Sequence, residues 1–129
     1  MFQLYFFLSG AYQYNLVNPI HVKKYRLNSV LFNNSGTYSN TNLLLATTYI
    51  PANPGTNVAN GGNPVPDYNI IASIPVITAS STIFYEPTNP IWYDVDKSLY
   101  TFKFYLLDPA TMQPITTYPS TFNIVLDCE

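Results

Sequence analysis

Leu99-Tyr100-Thr101-Phe102-Lys103-Phe104-Tyr105-Leu106-Leu107-Asp108 decides the fold class. Tyr100, Phe102, Phe104 and Leu106 make one unbroken apolar face, while Thr101 and Lys103 mark the other. This is a period of two, the pattern of a strand with one side against a core. Aromatic and β-branched residues dominate the periodic segments, as strands prefer. A helix would need apolar residues three and four apart, and no stretch of the chain sustains that spacing. Ala, Glu, Lys and Arg, the good helix formers, are scarce.

The same pattern recurs on both sides of this stretch. Downstream, Asp108-Pro109-Ala110-Thr111 opens a connection to a last strand, where Phe122, Ile124 and Leu126 alternate with Asn123 and Asp127. Upstream, Ile91 to Val95 reads as a short strand, Glu86-Pro87-Thr88-Asn89-Pro90 as a turn and Ser81 to Glu86 as a strand. Tyr68 to Val76 puts Ile70, Ala72, Ile74 and Val76 on one face. Pro75 cannot donate to a ladder, which predicts an edge strand or a bulge there. Asn42 to Ile50 is a strand ended by Pro51.

Nearer the start, Ile20 to Phe32 is a long strand with Tyr25, Leu27 and Leu31 on one face and Lys24, Arg26 and Asn28 on the other. Asn18-Pro19 predicts a turn before it, so Ala11 to Val17 either continues the first strand or forms a short second one. The first strand, Phe2 to Leu8, directs Phe2, Leu4, Phe6 and Leu8 to one side. About eight strands with turn signals between them indicate an all-β sandwich or small barrel. The expectation is a single eight-stranded jelly-roll sandwich over residues 1–129. An immunoglobulin-like sandwich is the alternative, although its Cys…Trp…Cys spacing is missing. Residues 51–66 hold four Pro, three Gly and four Asn, a composition that predicts a projecting loop.

Composition excludes several classes. The 129 residues have room for one domain. Charged residues are only 9% of the chain, against about 25% in an ordinary soluble domain, and aromatics are 16%. Disordered chains have the opposite bias. Five Lys+Arg against seven Asp+Glu argue against strong nucleic-acid binding. So few charges with so many aromatics predict a surface buried against other subunits. No segment reaches the about 18–20 apolar residues of a membrane helix, so no membrane span is expected. Met1 to Gly10 lacks the positive start of a signal peptide and reads as a first strand.

The inventory for chemistry is thin. His21 is the only histidine and Cys128 the only cysteine, too few for a zinc site or an internal disulfide. An unpaired thiol suits a reducing compartment. No phosphate loop, dinucleotide fingerprint or nucleophile elbow is present. Asp94 and Asp96 face the same way in an extended segment, and can be read as a calcium pair or, with Glu86 or Asp108, as glycosidase carboxylates. A solvated turn before Lys97-Ser98 explains them more simply. Lys23, Lys24 and Arg26 read as protection of an edge strand or as a protein contact. Tyr12 with Tyr14, or Tyr85 with Trp92 and Tyr93, can stack on sugars, although such residues also mark interfaces. Asn33-Asn34-Ser35 is a glycosylation sequon in an exposed context, although a single sequon often arises by chance. No catalytic, cofactor-binding or metal residue is assigned, and an enzyme is not expected.

The order of segments carries a resemblance. The residues concerned are Val17-Asn18-Pro19-Ile20-His21-Val22, Tyr25 to Val30, Ile70 to Val76, Ile83 to Pro90, Leu99 to Asp108, Gln113-Pro114-Ile115 and Phe122 to Leu126. In this order the chain resembles the single jelly-roll penton and minor capsid proteins of large double-stranded DNA viruses, virophages and polinton-like viruses. That family's final hairpin runs from an apolar strand through a Leu-x-Asp turn and a Gly- or Gln-Pro-Ile segment to a terminal strand. The resemblance implies a virion structural protein, assembled inside the host cell. It implies a homopentamer in contact with major and minor capsid proteins, with no cofactor and no reaction. The alternative is a spike or fibre head or a lectin-like module that binds a glycan or receptor through Tyr12, Tyr14 or Trp92.

Overall fold

Two long strands organise the molecule. The computed structural model describes residues 1–34, 42–47, 69–76 and 82–129. Among these the elements are β1 (Phe2–Leu8), β2 (Gln13–Asn33), β3 (Asn42–Thr47), β4 (Asn69–Pro75), β5 (Thr82–Tyr85), β6 (Tyr93–Asp108), β7 (Gln113–Pro114) and β8 (Phe122–Cys128). The described residues are all-β, without a helix. Every pairing is antiparallel. The order is β1-β8-β2-β6-β3-β4, with β5 also on β2 and β7 also on β6. The loop expected at 51–66 lies outside the described residues, as does the end of the strand expected at Asn42–Ile50.

β2 and β6 correct two expectations. No chain reversal occurs at Asn18-Pro19, because β2 runs through it as one strand of 21 residues. The Asn-Pro pair breaks register instead of direction. Asn15 sits opposite Thr101 and Ile20 opposite Leu99, so residues 16–19 bulge against Tyr100 alone. The separate strands expected at Ile91–Val95 and Leu99–Leu107 are likewise one strand, β6. The bulge resets its phase. Leu99 is buried, Tyr100 is 61% exposed, and burial resumes at Phe102, Phe104 and Leu106. Tyr100 therefore leaves the apolar face that simple alternation assigns to it. β6 pairs β2 along its first part and β3 along Phe104 to Leu107.

A second bulge lies in β2 between Leu27 and Ser29, opposite β8. It turns Val30 and Phe32 inward and Leu31 outward, against the expectation for Leu31. Across β1, β8, β2 and β5 the inner face is then built in rows. One row is Leu8, Phe122, Phe32 and Ile83, and the next is Phe6, Ile124, Val30 and Tyr85. Phe6 meets Phe102 and Phe104 at ring-centroid distances of 4.8 and 5.0 Å. That contact joins β1 to β6 across the core. Each fully buried Phe or Leu contributes about 1.5–3 kcal/mol of transfer free energy. Among the described residues β4 ends the strand order, the edge position that Pro75 predicts.

Candidate functional site

The outer face of β1, β8, β2 and β5 follows from the same registers. One row across it is Phe7, Asn123, Leu31 and Phe84, and the next is Tyr5, Val125 and Ser29. Phe7 is 69% exposed, Phe84 60% and Tyr5 56%. The Tyr5 and Phe7 rings stack at 6.3 Å with planes 14° apart. The strands thus present aromatic side chains to solvent on the face opposite the core. Sequence reading placed Tyr5 and Phe7 on this face, but the Asn28 bulge that adds Leu31 leaves no sequence signal.

The third row, Gln3, Asp127 and Arg26, is polar. Asp127 is buried, and its carboxylate accepts bonds from Gln3 Nε2 at 2.9 Å, Arg26 Nε at 2.9 Å and Asn28 Nδ2 at 3.2 Å. Burial pushes its pKa up, but the three hydrogen bonds and the Arg26 charge outweigh burial and hold it below the usual carboxylate range. Trp92 lies beside this row, with Arg26 4.6 Å and Lys24 4.9 Å from its ring centroid. Lys24 Nζ also bridges Glu129 Oε2 at 3.0 Å. β2 is an interior strand, so the basic cluster does not protect an edge. Lys24 and Arg26 are taken up by intramolecular carboxylates and an indole face.

Of the residues read as sugar platforms, Tyr85 and Tyr93 stay together, while Tyr14 and Trp92 engage other partners. Tyr14 packs edge-on against Phe6 at 6.0 Å, and Trp92 faces the two cations. Tyr85 and Tyr93 share a small cavity of about 180 Å³, and Tyr93 lies 5.3 Å from the ring of Tyr25. Tyr12 joins two tyrosines that the sequence did not single out. It stacks on Tyr105 at 5.0 Å and lies 5.4 Å from Tyr118. These three line an open cavity of about 670 Å³ with Gln13, Thr116 and Thr117, and none of the described residues in its wall is charged. β6 delivers Tyr105 on the face opposite Phe104, and the segment between β7 and β8 delivers Tyr118.

Two of the candidate acids, Asp96 and Asp108, have local partners of their own. Asp96 has φ +50° and lies 3.1 Å from His21 Nε2, with side chains 81% and 53% exposed. The turn expected before Lys97-Ser98 lies inside β6, and Ser98 sits opposite His21. So open a pair excludes no water. Asp108 caps its own turn by accepting the Ala110 N–H at 2.9 Å. No group of three His, Cys, Asp or Glu is placed to hold a metal among the described residues. The Asn33 amide is engaged, donating to Ser120 Oγ at 3.0 Å and accepting from the Thr121 N–H at 3.0 Å. Asn33 is thus the last residue of β2, with its glycosylation nitrogen occupied. The Cys128 thiol is fully buried, and burial with the neighbouring Asp127 charge pushes its pKa up to about 11. Among the described residues, no helix is long and apolar enough to cross a membrane.

Comparison with family models, with curated proteins and with solved structures gives no match for this chain. The class established here is an all-β protein with an antiparallel sheet of eight strands.

Proposed function

We propose that this chain is a structural subunit of a viral capsid, a penton or minor capsid protein built as a single jelly roll and carrying out no reaction. The strand-pairing order carries the reading. One group runs β1, β8, residues 20–33 of β2, then β5 with the start of β6. The other runs residues 13–15 of β2, the end of β6, β3 and β4. With the halves of β2 and β6 counted separately, this is the order that two Greek keys give when rolled into facing sheets. It agrees with the family that the sequence resembles. The low charge and the exposed aromatic rows suit a subunit covered by neighbours. The test is the solution mass of purified protein by light scattering over a range of concentrations. Pentamers, or rings that form as concentration rises, support the reading. A monomer at every concentration, with no binding to a capsid shell, removes it.

A second reading has its own observation. The uncharged cavity of Tyr12, Tyr105 and Tyr118 offers aromatic faces beside amide and hydroxyl groups, the furniture of a neutral-saccharide site. It supports a lectin-like module. Titration with neutral oligosaccharides, followed by calorimetry and repeated on Tyr12→Ala, decides it. Binding that Tyr12→Ala abolishes supports a glycan site, and no heat with any sugar ends it.

A further inference from the structure

We infer that the outer face of β1, β8, β2 and β5 is the surface by which one copy of this chain meets a second copy. This rests on the structural-subunit reading and adds the surface to it.

Size is the first consideration. β1 and β8 have seven residues each and β5 has four. With about seven residues of β2, a strand spacing of about 4.8 Å and a rise of about 3.3 Å per residue, the face covers roughly 400 Å². Two such faces in contact cover roughly 800 Å² before side-chain relief is counted. Specific interfaces begin at about 1,000–1,200 Å². The contact is therefore weak for an isolated pair and needs other contacts in an assembly beside it.

Chemistry selects a like partner. Two of the three rows are uncharged, with Tyr5, Phe7, Leu31 and Phe84 as their large side chains. The charges of the third row, Asp127 and Arg26, neutralise each other at 2.9 Å. Two copies therefore meet without like-charge repulsion, and a strongly charged partner gains nothing. A two-fold axis through the Phe7–Phe84 row lays aromatic surface on aromatic surface, the self-complementarity that an isologous contact needs. The face also ends on an open strand. β1 is unpaired on its far side among the described residues, pairs β8 without a bulge, and carries no charge or proline. Proteins that remain monomeric usually guard such an edge with one of these devices.

Phe7→Glu and Phe84→Glu test this, since both side chains stand clear of the core. Val17→Glu and Tyr100→Glu, exposed at the β2–β6 bulge, serve as controls. Sedimentation velocity over a concentration series should show wild-type chain associating. Either face variant should raise the midpoint concentration at least tenfold, and the controls should leave it within twofold. Mixing Phe84→Glu with Phe84→Lys should restore association. Circular dichroism and melting temperature confirm that each variant is folded. If wild type and face variants associate equally, the surface is elsewhere while the structural-subunit reading survives. If wild type stays monomeric at every concentration, the copy-to-copy contact is overturned, and a different protein becomes the occupant of the face.

Discussion

Arg26 Nε on β2 lies 2.9 Å from Asp127 Oδ2 on β8, and the two residues are direct register partners. Asp127 is 4% exposed, yet it is held ionised by three donors drawn from β1 and β2. The carboxylate therefore ties three strands together at the polar end of a face that is otherwise aromatic.

Asp127→Asn should destabilise the fold at neutral pH by about 1–3 kcal/mol, since Arg26 loses its charge partner but keeps partial solvent access. The pH dependence has a definite sign. A carboxylate whose folded pKa is depressed adds stability above its unfolded pKa of about 3.9, and that stability is lost as pH falls toward the folded value. Urea denaturation between pH 2 and 7 should show a steep acid limb in wild type and a flatter one in Asp127→Asn.

The Cys128 thiol should resist alkylation at pH 8 in the folded protein and react at once in denaturant. Its raised pKa means that the folded state holds the proton more tightly. Stability is complete below the ordinary thiol value of 9.0 and falls as pH rises toward about 11. The Tyr25 phenol is raised chiefly by burial, with Tyr93 and Cys128 adding to the shift and Thr47 opposing it, so it acts in the same direction. Equilibrium denaturation of wild type and Cys128→Ala from pH 8 to 11 separates the two groups.

Phe104→Ala should cost about 3–5 kcal/mol, because the ring is fully buried against Phe6. Tyr100→Ala, on the same face by simple alternation, should cost less than about 0.5 kcal/mol. Equal losses in chemical denaturation would mean that the bulge at residues 16–19 does not reset the phase of β6.

Gly10 joins β1 to β2 at φ +62°, with nothing within 4 Å of the place a Cβ would occupy. Gly10→Ala should therefore cost about 1 kcal/mol from backbone conformation alone. Gly10→Asn should cost less, as Asn tolerates the left-handed region better. A thermal melt of each variant measures the difference.

Much of this was legible in the chain itself. The alternation in Phe2–Leu8, Phe102–Leu106 and Phe122–Leu126 was enough to assign strands and most of their inward residues, because side-chain direction in a strand depends only on parity, although Phe2 at the start of β1 stays exposed. Pro75 marked an edge for a local reason as well, its missing N–H. Asn18-Pro19 misled, since the same pair that initiates a turn is also accommodated in a bulge, and only the pairing partner decides between them. Tyr105 and Tyr118 went unnoticed around Tyr12 for a similar reason. They come from separate segments with no shared motif.

The sequence by itself determined the all-β class, the scarcity of charge and the absence of any known catalytic motif, because composition and period are properties of the chain. Only the tertiary structure decided that Asp127 is ionised inside a three-strand cluster and that Leu31 joins Phe7 and Phe84 in one outer row. It also decided that Lys24 and Arg26 flank Trp92 instead of guarding an edge. Each depends on the register between strands far apart in sequence, and a single bulge is enough to turn every following side chain to the opposite face.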